Sequence, residues 1–269
     1  MKMYRATTIL LLLSAASCSP SAYQSANKSY RRQAKSFANE LKQQPGDIDS
    51  TSISPSWVGT TNFGMRKPNF VIIHYTAQNS CDQTLTTFTK PETEVSAHYV
   101  ICRTGTVQHM LSDYLRAWHA GAGKWGNVTD VNSISIGIEL DNNGTEPFTE
   151  IQINNLLQVL KTLKKKYNIP SANFIGHADI APTRKSDPGR LFPWQQLSRN
   201  GFGYWYDTSR TVVPADFNAM QSLRIIGYDT KDQAAAIRAF KLHFVQQDTL
   251  PVINEADKKI IYELARMYQ

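Results

Sequence analysis

Three short apolar runs of the chain each end in a polar residue that can bind a metal ion or carry a proton. These runs cover residues 70–74, 133–139 and 173–177, and they end at His74, Glu139 and His177. Runs of Val and Ile of this length are typical of strands buried inside a sheet. Open α/β sheets bind their ligands at the carboxyl ends of the strands. The pattern therefore predicts that the three polar side chains lie at a ligand-binding edge.

The clearest helix is predicted over residues 150–167, between the second and third runs. Its apolar residues recur at intervals of three and four, which gives one apolar face. They are Ile153, Leu156, Leu157, Leu160, Leu163 and Tyr167. Thr149 and Gln152 form a capping-box pattern at the start of this helix. Since a strand–helix–strand unit is almost always a crossover between parallel strands, Glu139 and His177 are expected at the same edge of the sheet.

The run that ends at Glu139 has small residues on one face. Ser133, Ser135 and Gly137 alternate with isoleucines, so they share the face that carries Glu139. A carboxylate at the end of a row of small residues faces a space that another group can fill. This pattern favours a functional role for Glu139 over a solvated strand end.

The remaining periodic segments complete an α/β fold. They predict a helix over residues 82–90, a hairpin of strands over 96–101 and 106–110, and three amphipathic helices over 216–226, 230–247 and 254–268. The predicted architecture is a central mixed β-sheet flanked by helices at residues 56–207. A small all-helical domain follows at residues 208–269.

Residues 1–17 are predicted to be a secretory signal peptide. Lys2 and Arg5 precede a short apolar stretch over residues 7–13, and small residues at 14–17 form a cleavage zone. The apolar stretch is too short to span a bilayer. The leader is therefore expected to be removed before the protein folds in the cell envelope.

Cys18 follows this leader directly and resembles the acylated cysteine of bacterial lipoproteins. Ala15 stands where such signals usually carry leucine, so plain secretion is the alternative. Ser19 is similar to the residue that accompanies sorting to the outer membrane. The resemblance implies a protein anchored by lipid to the outer membrane and facing the periplasm, with residues 18–55 as a tether.

The charge of the chain narrows the range of binding partners. The formal charge of +7 and the pI near 9.2 favour an acidic partner in general. The chain has no arginine-rich run, so we expect no nucleic-acid partner.

Besides Cys18 the chain contains Cys81 and Cys102, and an oxidising compartment favours a disulfide between them. Two separate buried thiols are the alternative.

Candidate chemistry centres on His74, His177 and a third residue, Asp187. Asp187 lies ten positions beyond His177 in a turn-rich stretch that can swing back toward the sheet. Two imidazoles and one carboxylate are the ligands of a catalytic zinc (Zn²⁺) site, which keeps its fourth position open. Glu139 is then available as a general base, and Lys185 can stabilise a developing oxyanion.

Six segments carry a resemblance to a known family. They are residues 70–76 (FVIIHYT), 96–101 (SAHYVI), 105–107 (GTV), 117–121 (AWHAG), 135–140 (SIGIEL) and 176–189 (GHADIAPTRKSDPG). In order and spacing they resemble the zinc-dependent N-acetylmuramoyl-L-alanine amidases of the amidase-2 type, relatives of the peptidoglycan recognition proteins. The resemblance covers about residues 60–205. The C-terminal helices are similar to a three-helix peptidoglycan-binding-like module, which is a weaker match.

The resemblance implies an enzyme that cleaves the amide between N-acetylmuramic acid and the L-alanine of peptidoglycan or muropeptides. It implies that His74, His177 and Asp187 bind zinc, that Glu139 is the general base and that Lys185 stabilises the transition state. Trp118 and His119 are expected to line the substrate cleft, and the enzyme is expected to be a monomer. Ala97 occupies the place where some relatives carry a catalytic tyrosine, which leaves the base role to Glu139. In other relatives the third metal ligand is a cysteine, and Asp187 stands in its place here.

Other functions remain open at this point. His177 and Asp179 have the His-x-carboxylate spacing of a non-haem iron site, with His243 as the distal histidine. We disfavour iron because His243 lies in the helical tail. A non-catalytic peptidoglycan-binding protein on the same fold is the stronger alternative, although such relatives lose a metal ligand. A purely structural lipoprotein would leave the cleft unexplained. The sequence leaves open whether anhydro-muropeptides or intact glycan strands are preferred.

Overall fold

The computed structural model describes residues 22–43 and 58–269. The predicted signal peptide and the predicted lipidation site at Cys18 lie outside the described residues. The chain divides into a unit of residues 1–63, which contains helix α1 (Gln24–Glu40), and a compact unit of residues 64–269. Among the described residues, no helix combines the length and the apolar character that crossing a bilayer requires.

A five-stranded mixed sheet forms the centre of the compact unit, as predicted. Its strands are β1 (Phe70–Tyr75), β2 (Tyr99–Ile101), β3 (Val107–His109), β4 (Ser135–Leu140) and β5 (Phe174–Gly176). Their spatial order is β3-β2-β4-β1-β5. β1 runs parallel to both β4 and β5, and β2 runs parallel to β4. Only the β2–β3 pair of the described sheet is antiparallel, which is the predicted hairpin.

Eight α-helices accompany the sheet in the compact unit. They are α2 (Cys81–Phe88), α3 (Val131–Ile134), α4 (Glu150–Tyr167), α5 (His177–Ile180), α6 (Trp194–Arg199), α7 (Ala219–Ile226), α8 (Gln233–Phe244) and α9 (Glu255–Met267). Short 3₁₀ turns cover Pro91–Thr93 and Ser171–Asn173. The predicted long helix α4 has the expected bounds. The Thr149 side chain accepts the backbone N–H of Gln152, and Asn168 ends the helix in the left-handed conformation.

Apolar residues of β1 point alternately to the two faces of the sheet. Val71 and Ile73 belong to a core shared with α4, whereas Ile72 belongs to a core shared with α7, α8 and α9. All three side chains are fully buried. Helices therefore cover the sheet on both faces, and the C-terminal helices predicted as a separate domain share their core with it.

The strand that carries Glu139 begins later than the sequence pattern indicated. Ser133 and Ile134 belong to the short helix α3, and β4 starts at Ser135. The backbone N–H of Ser133 donates to the carbonyl oxygen of Asp130 at 3.3 Å. Residues 131–134 therefore form a helical turn where the alternating pattern predicted the start of an extended strand.

His177 opens a helix instead of ending a strand. β5 stops at Gly176, and His177 is the first residue of α5. The Asp179 carboxylate accepts the backbone N–H of Gly176 at 2.7 Å, which satisfies a donor at the helix start and turns the chain. The predicted strand over residues 173–177 is therefore too long at both ends.

Cys81 and Cys102 are joined by a disulfide bond. Cys81 is the first residue of α2, and Cys102 directly follows β2. The bond closes a segment with a sequence separation of 21. It ties the helix after β1 to the neighbouring part of the sheet.

Candidate active site

Side chains that the sequence singled out meet at the carboxyl edge of the sheet. His74 of β1 and Glu139 of β4 are direct partners in the parallel register. β5 pairs with β1 so that Gly176 lies beside Ile73. The next residue, His177, consequently lies next to His74 even though it belongs to a helix. All three functional side chains are buried.

Asp187 returns to this edge in the loop after α5. Its carbonyl oxygen accepts the backbone N–H of Ala178 at 2.8 Å, which ties the loop to the start of the helix. The Asp187 side chain is buried and faces both imidazoles. The predicted return of a carboxylate to the sheet edge thus occurs in the structure.

Three potential ligand atoms form a small triangle. The two Nδ1 atoms of His74 and His177 are 2.9 Å apart. Asp187 Oδ2 lies 3.1 Å from the Nδ1 atom of His74 and 3.0 Å from that of His177. Within the part of the chain that the structure describes, this is the one cluster of three or more His, Cys, Asp or Glu side chains that can hold a metal ion.

The backbone orients the imidazole of His177. Its Nε2 atom lies 3.1 Å from the carbonyl oxygen of Ala120. A carbonyl oxygen can only accept, so Nε2 carries the ring hydrogen and a neutral His177 presents a lone pair at Nδ1. That lone pair points into the ligand triangle.

Glu139 lies beside the triangle without being part of it. Its Oε1 atom is 4.0 Å from His74 Nδ1. Its Oε2 atom is buried and has no hydrogen-bond partner among the described residues. Burial raises the pKa of Glu139 well above its usual range, the Asp187 carboxylate raises it further, and the Lys185 ammonium lowers it. A buried carboxylate with a free oxygen and a raised pKa is suited to accept a proton.

Two histidines of the site, His74 and His119, are held in their neutral form. Burial, together with the nearby His177 imidazole, lowers the pKa of His74 to about 4, although Asp187 acts in the opposite direction. Burial also lowers the pKa of His119 well below its ordinary value, and the nearby His74 adds to this shift. Neutral imidazole is the form that binds metals.

The other predicted site residues have different environments. Lys185 is exposed, and its charge acts on both Glu139 and His74. Trp118 is 52% exposed and remains a candidate for substrate contact. His119 is buried, with His74 Nε2 at 3.0 Å from its Nδ1 atom and Ser135 Oγ at 3.1 Å from its Nε2 atom. His119 therefore contacts His74, a predicted ligand.

Two further histidines, His98 and His109, lie outside the ligand triangle. His98 is fully buried, and its Nδ1 atom accepts the backbone N–H of Gly137 at 3.1 Å. The ring of His109 is about half exposed and lies 3.3 Å from Asp113 Oδ1. Neither belongs to the metal-binding cluster among the described residues.

Comparison with known proteins now identifies the family. The family model described as N-acetylmuramoyl-L-alanine amidase (Amidase_2) matches residues 64–190, which include every residue of the triangle and Glu139. The N-acetylmuramoyl-L-alanine amidase AmiD of Escherichia coli K12 is 36% identical over 206 residues, covering 65% of this chain and 74% of AmiD. The chain belongs to the N-acetylmuramoyl-L-alanine amidase family. It is an enzyme, as predicted, and not a recognition protein that has lost its ligands.

Further relatives of the amidase agree in sequence and structure. The 1,6-anhydro-N-acetylmuramyl-L-alanine amidase AmpD of Enterobacter cloacae is 41% identical over 103 residues, which is 38% of this chain and 55% of AmpD. The structure of E. coli AmiD in complex with anhydro-N-acetylmuramic acid-L-Ala-D-gamma-Glu-L-Lys has a TM-score of 0.68 and 31% identity, covering 78% of this chain and 93% of that chain. The structure of AmpDh3 from Pseudomonas aeruginosa has a TM-score of 0.68 and 29% identity, covering 82% of this chain and 98% of that chain. The predicted fold class is confirmed.

Asp179 and His243, the residues of the iron alternative, do meet in the amidase. His243 Nδ1 lies 2.8 Å from Asp179 Oδ2, which also accepts the Gly176 N–H. The Tyr228 hydroxyl donates to Asp179 Oδ1 at 2.7 Å. Both carboxylate oxygens are therefore occupied by protein donors, and the three side chains form a structural network. Sequence reasoning missed this role; its only signal was a carboxylate in an otherwise apolar stretch.

Proposed function

We propose that the amidase is a zinc enzyme that hydrolyses the amide between N-acetylmuramic acid and L-alanine in peptidoglycan or muropeptides. His74, His177 and Asp187 would hold the ion, and Glu139 would act as the general base. The convergence of three ligand atoms within 2.9–3.1 Å of one another carries this proposal. Two imidazoles and one carboxylate are the ligand set of a catalytic zinc site.

The dimensions and chemistry of the triangle fit a tetrahedral ion. Ligands at about 2.0–2.1 Å from zinc in tetrahedral geometry are roughly 3.3 Å apart, close to the observed separations. Imidazole nitrogens favour zinc over magnesium or calcium, which prefer oxygen ligands. The neighbouring Glu139 Oε2 atom is buried, and no residue in the described part of the chain forms a hydrogen bond with it. A divalent cation beside it would offset the burial that raises its pKa.

The chemistry divides between the ion and the protein. Zinc, when bound, supplies a Lewis acid and lowers the pKa of its bound water. Glu139 accepts one proton from the attacking water while the water oxygen bonds to the carbonyl carbon. Glu139 then delivers that proton to the L-alanine nitrogen as the carbon–nitrogen bond breaks. The Lys185 ammonium would stabilise the charge that develops on the carbonyl oxygen.

The substrates named for the relatives support the choice of bond. The AmiD structure contains anhydro-N-acetylmuramic acid-L-Ala-D-gamma-Glu-L-Lys, and an AmpDh3 structure contains an anhydromuramic pentapeptide. Both ligands are muramyl peptides. We therefore propose muropeptides as substrates of this amidase, with peptidoglycan strands as the polymeric form of the same chemistry.

Metal removal tests the proposal directly. We expect the chelated protein to leave muropeptides intact, and stoichiometric zinc, but not magnesium, to restore cleavage. Mass spectrometry of the digest measures this by the appearance of free stem peptide and of the sugar without peptide. Cleavage that continues at an unchanged rate after the metal has been removed, as verified by elemental analysis, would contradict a zinc mechanism.

We also propose that acylated Cys18 anchors the amidase to the outer membrane, with the catalytic unit in the periplasm. The basic residues, the short apolar stretch and the small residues before Cys18 support this location. We expect Cys18→Ala to move the protein from the membrane fraction to the soluble fraction of the envelope. Ser21→Ala is a matched control that should leave it in the membrane. An unchanged distribution of Cys18→Ala between the fractions would argue against a lipid anchor.

A further inference from the structure

The space beside the small residues of β4 is filled by the imidazole of His119. A Cβ atom added to Gly137 would overlap the ring carbons and Nδ1 of His119. Only glycine at this position lets the ring lie flat against the strand. His119 thereby reaches Ser135 on one side and His74 on the other.

The backbone around His119 is anchored independently of the metal ligands. The N–H groups of His119 and Ala120 both donate to Asn132 Oδ1, at 3.1 and 2.9 Å. Asn132 is itself buried in α3. The position of the His119 ring is therefore set by the protein frame, not by a substrate.

The hydrogen-bond partners assign a direction to this chain of contacts. The Ser135 hydroxyl donates to the carbonyl oxygen of Val131 at 2.7 Å, so its oxygen is left to accept from His119 Nε2. A neutral His119 that carries its hydrogen on Nε2 has a lone pair on Nδ1. This lone pair accepts the Nε2 hydrogen of His74 at 3.0 Å. His74 must then present an unprotonated Nδ1 to the ligand triangle.

We propose that His119, supported by Ser135, is a positioning residue that fixes the tautomer and the ring orientation of His74. The inference rests on the proposed zinc site and names the contacts that hold its ligand His74 in place. Ligand histidines usually donate their second nitrogen to such a partner, and for His177 the Ala120 carbonyl has this role. Both ring nitrogens of His119 are engaged, so the ring has no polar atom left for substrate. In this proposal His119 supports a metal ligand, whereas the sequence led us to expect it in the lining of the substrate cleft.

Zinc affinity tests the inference with a readout other than activity. Competition with a chromophoric chelator is measured for the wild type, His119→Ala, His119→Asn and Ser135→Ala. We expect His119→Ala to bind zinc about 10–100-fold more weakly. His119→Asn should regain much of the loss, because its carboxamide oxygen can accept from His74 Nε2 near the place of Nδ1. Ser135→Ala should weaken binding by a smaller factor.

Ser133→Ala is the matched control, since the Ser133 hydroxyl bonds to Asp130 and Arg116, whereas the Ser135 hydroxyl bonds to His119. It should bind zinc like the wild type. Unchanged zinc affinity in His119→Ala, together with a raised KM, would overturn the inference and make His119 a substrate contact. Should His119→Ala fail to fold, Ser135→Ala decides, and a zinc affinity equal to that of the wild type would overturn the inference. A wild type that binds no zinc would instead refute the proposed function.

Discussion

We expect Glu139→Gln to lower kcat for amide cleavage by about 10²–10⁴-fold while the protein keeps its zinc. Glutamine has the same shape, but its amide cannot take a proton from the attacking water. Within residues 22–43 and 58–269, no group donates a hydrogen bond to Glu139 Oε2, so the substitution takes no acceptor away from a donor there. Its Oε1 atom is 4.0 Å from His74 Nδ1, outside the ligand triangle. The measurement combines initial rates on a purified muropeptide with the zinc content of each protein.

A matched substitution at an exposed glutamate separates this effect from a general one. Glu92→Gln changes the exposed glutamate of a 3₁₀ turn and should leave both kcat and zinc content unchanged. A parallel loss of zinc in Glu139→Gln would show that Glu139 supports the metal instead of moving a proton. Full activity of Glu139→Gln would rule it out as the base.

The sequence could predict that the proposed site residues lie together, because the carboxyl ends of parallel strands meet at one edge of the sheet. His74 and Glu139 are register partners, as expected for residues that end neighbouring parallel strands. The prediction for His177 succeeded despite a wrong element boundary. Whether His177 ends β5 or begins α5, it follows Gly176, which the pairing of β5 with β1 fixes beside Ile73.

Contacts made by buried polar groups across long stretches of sequence could not be predicted. The small residues of β4 indicated a space but not its occupant, His119, which comes from a separate loop. Similarly, amphipathic periodicity predicted the C-terminal helices but not the surface they cover. An apolar face can pack on any complementary face, and only the assembled core reveals that α8 packs beside α5.

The second large effect is expected where α5 meets the C-terminal helices, and it is a fall in the free energy of unfolding. The buried Asp179 carboxylate accepts hydrogen bonds from Gly176, Tyr228 and His243. Asp179→Ala leaves three buried donors without an acceptor, and each costs about 1–3 kcal/mol. We therefore expect the free energy of unfolding to fall by at least about 3 kcal/mol. Zinc affinity should also decrease, because α5 begins with His177.

Urea unfolding of the metal-free proteins measures this effect, and two further variants test its origin. Tyr228→Phe removes the donor to Oδ1 and leaves Oδ2 with its two partners, so it should cost about 1–3 kcal/mol, less than Asp179→Ala. Asp216→Ala, at an exposed position before α7, should be neutral within about 0.5 kcal/mol. If Asp179→Ala costs no more than Tyr228→Phe, the carboxylate does not join the C-terminal helices to the metal-binding edge. The shared apolar core alone would then hold α8 against α5.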